Sequence, residues 1–385
     1  MRDLTVIIEQ CLAPVPGGTG RYAQEIAAAL AARPRPGWTV RTVTAWHRDT
    51  TRAVLSGASG PHRLPAGERM LAELWRRGLP PTVRGERVHA TTPLAPARRH
   101  GLVVTVHDAV PWTHPDTLTA RGVRWHRAMV ARAADRAEAI VVPSLAVADD
   151  LAGLFPAAGD KLRVVGHGVT AMEPPPDADR IRRDLGLVDG YVLSVATLEP
   201  RKGLDVLVRA MASGPLGTAH LVVVGAPGWG AVDVGSVAAA AGLSPDRLHV
   251  LGSIDDYRLA AVLGGATVLA APSRAEGFGL PVLEAMAAGV PVVVSDAPAL
   301  VELVAGAGMV VPRDDVAGLA AALAQVLTDD RAAAELASRG HRRAQDFSWA
   351  AAAERLWELH AGRPGPDPAQ LSATAAGPLP ESRRG

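Results

Sequence analysis

A single cysteine, Cys11, is all that this 385-residue sequence offers, so no internal disulfide can staple it and a reducing compartment suits it. Excess charge is missing too. Its 40 Lys+Arg stand against 39 Asp+Glu, a formal net charge of +1. No global field therefore draws nucleic acid or an anionic bilayer, and any anion site must be a local cluster. No run approaches the ~18 uncharged apolar residues of a membrane span. The opening MRDLTVIIEQ sets Asp3 ahead of an apolar run of strand length only, so neither a signal peptide nor a span is expected there, and a soluble cytoplasmic protein is. There is no G-x-S-x-G, and Cys11 has no placed base, which removes the usual nucleophile arguments. The acid pairs Asp149–Asp150, Asp255–Asp256 and Asp314–Asp315, and Asp177 with Asp179, make no metal site.

What is present is 48% hydrophobic residue in enough chain for two cores. Short β-branched runs alternate with Ala/Leu-rich stretches of helical length. The first half has runs at 4–9, 38–46, 102–108, 139–144 and 161–169, with helical stretches at 21–33 and 118–137. The second repeats the scheme at 191–197, 220–226, 248–253, 267–273, 291–296 and 309–312. Such alternation predicts parallel sheets covered by helices, an α/β class. Three prolines in AMEPPPDADR (171–180) mark the boundary. The division expected is a first domain over 1–170, a linker over 171–189, a second domain over 190–345, a last helix within 346–361 and a Pro/Gly-rich disordered tail over 362–385. Two doubly wound domains leave a cleft with the carboxyl ends of both sheets facing it, where ligands bind.

Four motifs carry chemistry. In RAEGFGLPVLEAM (274–286) a glycine loop feeds a helix opening near Pro281, presenting unpaired N–H groups and a positive dipole end to phosphate. Glu284 lies one turn inside, where its carboxylate reaches back toward a ribose, and Glu276 sits in the loop, free to contact a sugar. In TLEPRKGLDVL (197–207) Arg201 and Lys202 occupy a helix start, where cations oppose the dipole unless an incoming pyrophosphate reverses the sign. In PVPGGTGRYAQEI (14–26) the glycines formally match a dinucleotide fingerprint, but the loop is too long and no acid ends the second strand, so a flexible glycine loop over a cleft ligand fits better. His107 and Asp108 end a buried strand and project into the cleft.

Together these residues resemble the retaining glycosyltransferases of the large two-Rossmann (GT-B) class, in particular family 4, glycosyl transferases group 1. The resemblance spans roughly residues 4–360 and rests on the E-x7-E pattern of Glu276 and Glu284, on EPRKG, GTGRY, VHD and the DFSW at 346–349. It implies that Arg201 and Lys202 bind the donor diphosphate, and that the loop Gly277, Phe278, Gly279 and Leu280 offers backbone N–H groups. It also implies that Glu284 holds the ribose and Glu276 contacts the transferred sugar. His107 would lie beside the anomeric carbon, and Gly18, Thr19 and Gly20 would close over the phosphates. It implies an acceptor-side first domain, a nucleotide-side second domain and a last helix crossing back to the first. His167-Gly168-Val169 departs from the family's Asn-Gly-Val turn.

The implied reaction moves a hexosyl, mannosyl-like unit from a nucleotide-diphosphate sugar to a hydroxyl of a glycan, lipid-linked or small-molecule acceptor. The donor is a substrate, and neither a cofactor nor a metal is expected. Two alternatives stay open: a bilobal binding protein without catalysis, and an NAD-dependent dehydrogenase disfavoured by the missing acid. The segment 121–136, with five arginines and Trp125, reads as a solvated helix face or as weak peripheral contact with the inner membrane face.

Overall fold

A computed structural model describes residues 2–362 except 99, 189, 229 and 231. The tail from 363 onward lies outside the described residues. Among the described residues thirteen strands form two sheets. The first sheet contains β1 (Arg2–Ile7), β2 (Trp38–Thr44), β3 (Ser59–Arg63), β4 (Arg87–Ala90), β5 (Leu102–Thr105), β6 (Ala139–Val142) and β7 (Leu162–Val164) in the order β3-β2-β1-β4-β5-β6-β7, all parallel. The second contains β8 (Tyr191–Val195), β9 (Leu221–Val224), β10 (Leu248–Gly252), β11 (Ala266–Ala271), β12 (Val292–Ser295) and β13 (Met309–Val311), ordered β10-β9-β8-β11-β12-β13 and likewise parallel.

Runs such as Leu-Val-Val-Val in β9 and Val-Val-Val-Ser in β12 are buried at every position, as strands between two helix layers must be. Both sheets are doubly wound, and chain order reverses between β1 and β4 in one and between β8 and β11 in the other. Loops at the carboxyl ends of those strand pairs diverge and leave a crevice. The loop after β8 carries Arg201 and Lys202, and the loop after β11 carries Glu276. The loops after β1 and β4 carry Glu9 and Thr91.

The proline linker contains the short helix Ala178–Asp184, whose Arg182 donates to the Ala261 carbonyl of the helix Asp256–Gly264 at 3.1 Å. The chain passes back at Phe347, and the helix Trp349–His360 packs on the first domain's helix Gly17–Ala32. Arg35 pairs with Glu354 at 3.2 Å, the Trp38 and Trp357 rings lie 5.7 Å apart, and His360 contacts His89 of β4 at 3.3 Å. In the Arg-rich helix Ala120–Arg136, Trp125 donates to the Ala72 carbonyl at 3.3 Å and Arg132 to the Arg76 carbonyl at 2.5 Å. Those two side chains are packed against the helix Glu68–Arg77 rather than displayed to a surface. Among the described residues no helix is long and apolar enough to cross a membrane.

Candidate active site

On the second domain, β8 runs into a 3-10 turn, Pro200–Lys202, and then the helix Leu204–Ala212. Gly203 joins them at φ 65°, and a Cβ there would meet the Pro272 carbonyl at 2.1 Å. Only glycine lets the cationic turn press so closely on the strand end of β11. Arg201 and Lys202 therefore precede the helix rather than opening it, a correction to the sequence reading. Their carboxylate partners are already in place. Lys202 Nζ lies 2.5 Å from Glu276 Oε1, Arg201 Nη1 3.6 Å from Glu276 Oε2, and Arg201 Nε 2.9 Å from Glu199. Ser273 Oγ donates to Glu276 at 2.9 Å.

Glu276 is thus not a free loop acid but a paired one. Burial works to raise its pKa, yet Lys202 and Arg201 outweigh burial and hold it below the ordinary carboxylate value. Burial and the Arg201 charge push the Lys202 ammonium below its ordinary value. Against the same burial, Glu276, Asp108 and Glu199 raise that of Arg201. Beyond Glu276 the loop tightens at Gly279, φ 102°, and opens the helix Leu280–Ala287, whose start has no side-chain cap. Pro281 brings no N–H and Val282 N–H already bonds the Gly279 carbonyl at 3.0 Å, so in that first turn it is the Leu280 N–H that faces another acceptor.

On the first domain, His107 follows β5 and is half-buried. Its Nε2 lies 2.8 Å from the Thr91 carbonyl, which can only accept, so Nε2 carries the proton. Burial lowers its pKa against the raising effects of that bond and of Asp108, which keeps the ring neutral at neutral pH. Tyr22 stands edge-on to His107 at 4.8 Å between centroids, and His167 lies 5.5 Å away. The His167 ring, flanked by Tyr22, Phe278 and Trp349, finds no hydrogen-bond partner for either nitrogen among the described residues.

Gly18, Thr19 and Gly20 were expected in a flexible loop. They form the first turn of the helix Gly17–Ala32, because Gly20 N–H already bonds the Pro16 carbonyl at 2.9 Å. That helix start also lacks a side-chain cap. A Cβ on Gly18 would stand 3.5 Å from Leu280 of the opposite domain, so two uncapped helix starts meet at one place.

The cleft is closed. A Cβ on Gly277 would meet the His107 carbonyl at 1.8 Å, Ser144 Oγ donates to the Gly277 carbonyl at 2.8 Å, and Glu302 caps the first domain's helix Leu145–Leu154 through Leu145 N at 2.9 Å and Ala146 N at 3.2 Å. Arg21 spans the gap. It binds Asp256 at 2.5 Å and Glu284 at 3.1 Å. Glu284 is 7% exposed, and burial pushes its pKa up to about 7; Arg21 opposes this, while Asp256 and Glu25 add to it. Arg21, shared with Asp256, does not outweigh the burial of Glu284.

Known proteins resemble this chain along most of its length. The profile described as Glycosyltransferase Family 4 matches residues 16–171, and that described as Glycosyl transferases group 1 matches residues 177–343. An O-antigen chain mannosyltransferase B from Escherichia coli is 31% identical over 261 residues, covering 66% of this chain and 68% of the relative. The chain belongs to glycosyltransferase family 4.

A phosphatidyl-myo-inositol mannosyltransferase of Mycolicibacterium smegmatis is 34% identical over 206 residues, covering 50% of this family-4 chain and 52% of that relative, so the match spans about half its length. Two solved structures share the GT-B fold. Sucrose-phosphate synthase of Thermosynechococcus elongatus has a TM-score of 0.72 at 24% identity, covering 97% of this chain and 100% of that one. Anabaena HepE in complex with UDP-glucose has a TM-score of 0.72 at 20% identity, covering 94% and 100%. These matches do not favour a binding protein without catalysis.

In this family-4 glycosyltransferase the residues read from the sequence converge on one crevice: Arg201, Lys202, Glu276, Gly277, Phe278, Gly279 and Leu280 from one side, His107, Gly18, Thr19 and Gly20 from the other. Glu284 is present but occupied by Arg21. Sequence reasoning missed Arg21, Tyr22 and Asp256. Arg21 stood in plain view beside Gly20, but its partners are more than two hundred residues away and no local pattern announces them.

Proposed function

We propose that this glycosyltransferase moves a hexosyl, mannosyl-like unit from a nucleotide-diphosphate sugar to an acceptor hydroxyl, with retention and without a divalent metal. One observation carries the reading. Arg201, Lys202 and the uncapped start of the helix Leu280–Ala287 sit together on the nucleotide side, facing a neutral His107 across a closed cleft. Leaving-group departure builds negative charge on the diphosphate, and fixed cations and N–H dipoles stabilise it there.

In the step proposed, the acceptor oxygen bonds the anomeric carbon from the face that the diphosphate leaves. The carbon–phosphate-oxygen bond breaks, and the acceptor's proton passes to the departing phosphate oxygen. Glu276, held by Lys202, Arg201 and Ser273, serves as their counter-charge and contacts the sugar rather than attacking it. Glu284 holds the ribose once Arg21 yields to it. The named mannosyl transfer of the Escherichia coli relative supports the hexose assignment, and the acceptor is proposed as a glycan, a glycolipid or a small molecule.

The test is turnover of UDP- and GDP-hexoses after exhaustive chelation, with the product's anomeric configuration read by proton NMR. Undiminished rates and retained configuration are expected. Activity recovered only with Mg²⁺ or Mn²⁺, or an inverted product, overturns the respective half.

A further inference from the structure

At the carboxyl ends of β1 and β2 stands a second assembly that the donor machinery does not use. Glu9, 6% exposed, follows β1. Burying a carboxylate costs free energy unless its oxygens are satisfied, and here both are: Ala45 N–H donates at 2.6 Å and His47 Nε2 lies at 2.7 Å. Glu9 thereby fixes the imidazole with Nε2 as the donor and leaves Nδ1 as its remaining acceptor, on a side chain 22% exposed. Between Ala45 and His47 lies Trp46, 56% exposed, while every other described tryptophan is buried or half-buried. A turn after a strand needs neither an indole in water nor a histidine braced from beneath.

Placement adds to this. Along the rim of the first sheet the strands run β5, β4, β1, β2, and hydrogen bonds link them: His107 to the Thr91 carbonyl, Thr91 Oγ to the Ile7 carbonyl at 2.7 Å, then Glu9 to Ala45 and His47. Three strand spacings set His47 about 14 Å from His107 on the same rim. That is the reach of an extended acceptor, beyond the sugar that reacts.

We propose that Trp46, His47 and Glu9 form an acceptor subsite for a polyhydroxylated ring. The indole covers the C–H face of the ring, His47 Nδ1 accepts a hydrogen bond from a ring hydroxyl, and Glu9 positions the histidine. The proposal rests on the glycosyl-transfer reading above.

The experiment is saturation-transfer NMR on the full chain with methyl α-D-mannopyranoside as the probe, beside calorimetric titration of UDP and GDP. In the wild type the ring protons are expected to receive saturation. Trp46→Ala and His47→Ala should each weaken glycoside binding by roughly three- to tenfold. Neither should shift nucleotide affinity by more than about twofold, since neither touches that site. Glu9→Gln should move the His47 ¹⁵N shifts from the Nε2–H to the Nδ1–H tautomer and weaken the probe with them, a signature that a purely structural turn would not give. No saturation in the wild type, or saturation unchanged in Trp46→Ala, overturns the subsite even where nucleotide binds. Trp46-dependent saturation without nucleotide binding upholds the subsite and overturns the donor reading instead.

Discussion

Lys202 is one of two lysines in a sequence otherwise served by arginine, and it sits where a compact point charge meets Glu276 at 2.5 Å. Removing it leaves Glu276 buried with Arg201 as its remaining cation. Breaking one side of a buried pair costs about 3–5 kcal/mol in stability. Lys202→Ala is therefore expected to lower the melting temperature of the unliganded protein as well as weakening nucleotide-diphosphate binding by roughly ten- to a hundredfold. Lys202→Met with Glu276→Gln should restore the stability and not the affinity, which calorimetry and thermal melts separate. Glu284 behaves differently. Its folded-state pKa of about 7 lies above the unfolded value, so the native state holds a proton that the unfolded chain has released, and stability falls as pH rises from about 4.5 through 7. Glu284→Gln should remove that fall, and denaturant titrations at pH 5, 6, 7 and 8 would show it.

Among the elements, the strands were the most legible. Runs such as YVLSV and LVVV are too apolar on both faces for anything but a buried parallel strand. β4 escaped notice because Arg-Val-His-Ala offers two apolar residues and no period, although it is buried centrally between β1 and β5. The candidate site was legible where unusual residues cluster locally, as with the two glycines before a proline; the adjacent cations in EPRKG drew notice as a helix start, although they stand in the turn before it. It was illegible where the chemistry is made by contact between domains, as with Arg21, or by buried aromatic neighbours, as with His167. The Gly277 loop shows how far the elements constrain one another: a single added methyl meets the His107 carbonyl. Gly277→Ala is thus expected to hold the cleft open, lowering turnover at least tenfold while nucleotide affinity changes by less than about threefold. An increased radius of gyration by solution scattering would accompany it, and a variant of wild-type shape and rate would refute the contact's role.

At the scale of the whole molecule, four histidines, the buried His89, His167 and His360 and the half-buried His107, line the path from the crossing helix to the cleft, and burial lowers the pKa of each, that of His89 to about 3. The native state keeps them neutral while the unfolded chain takes up protons below about pH 6.5, so the stability they permit above that pH is lost as pH falls. Equilibrium unfolding at pH 7.5 and 5.5 should show this loss, and it should be larger in Glu284→Gln, where the opposing contribution is gone. The same crossing helix has a topological meaning. The chain leaves the first sheet at Val169 and returns at Phe347, whose carbonyl accepts from Val169 N–H at 3.4 Å, and Gly168 lies against the backbone of Trp349. The second domain is therefore an insertion, a loop of folded chain that begins and ends at one spot on its host. Its two connections run side by side like the paired pins of a hinge, which leaves rotation about their common line free and resists twisting across it. Cutting one connection would leave the halves tethered by the other, and splicing Val169 to Phe347 would excise the guest without stretching the host.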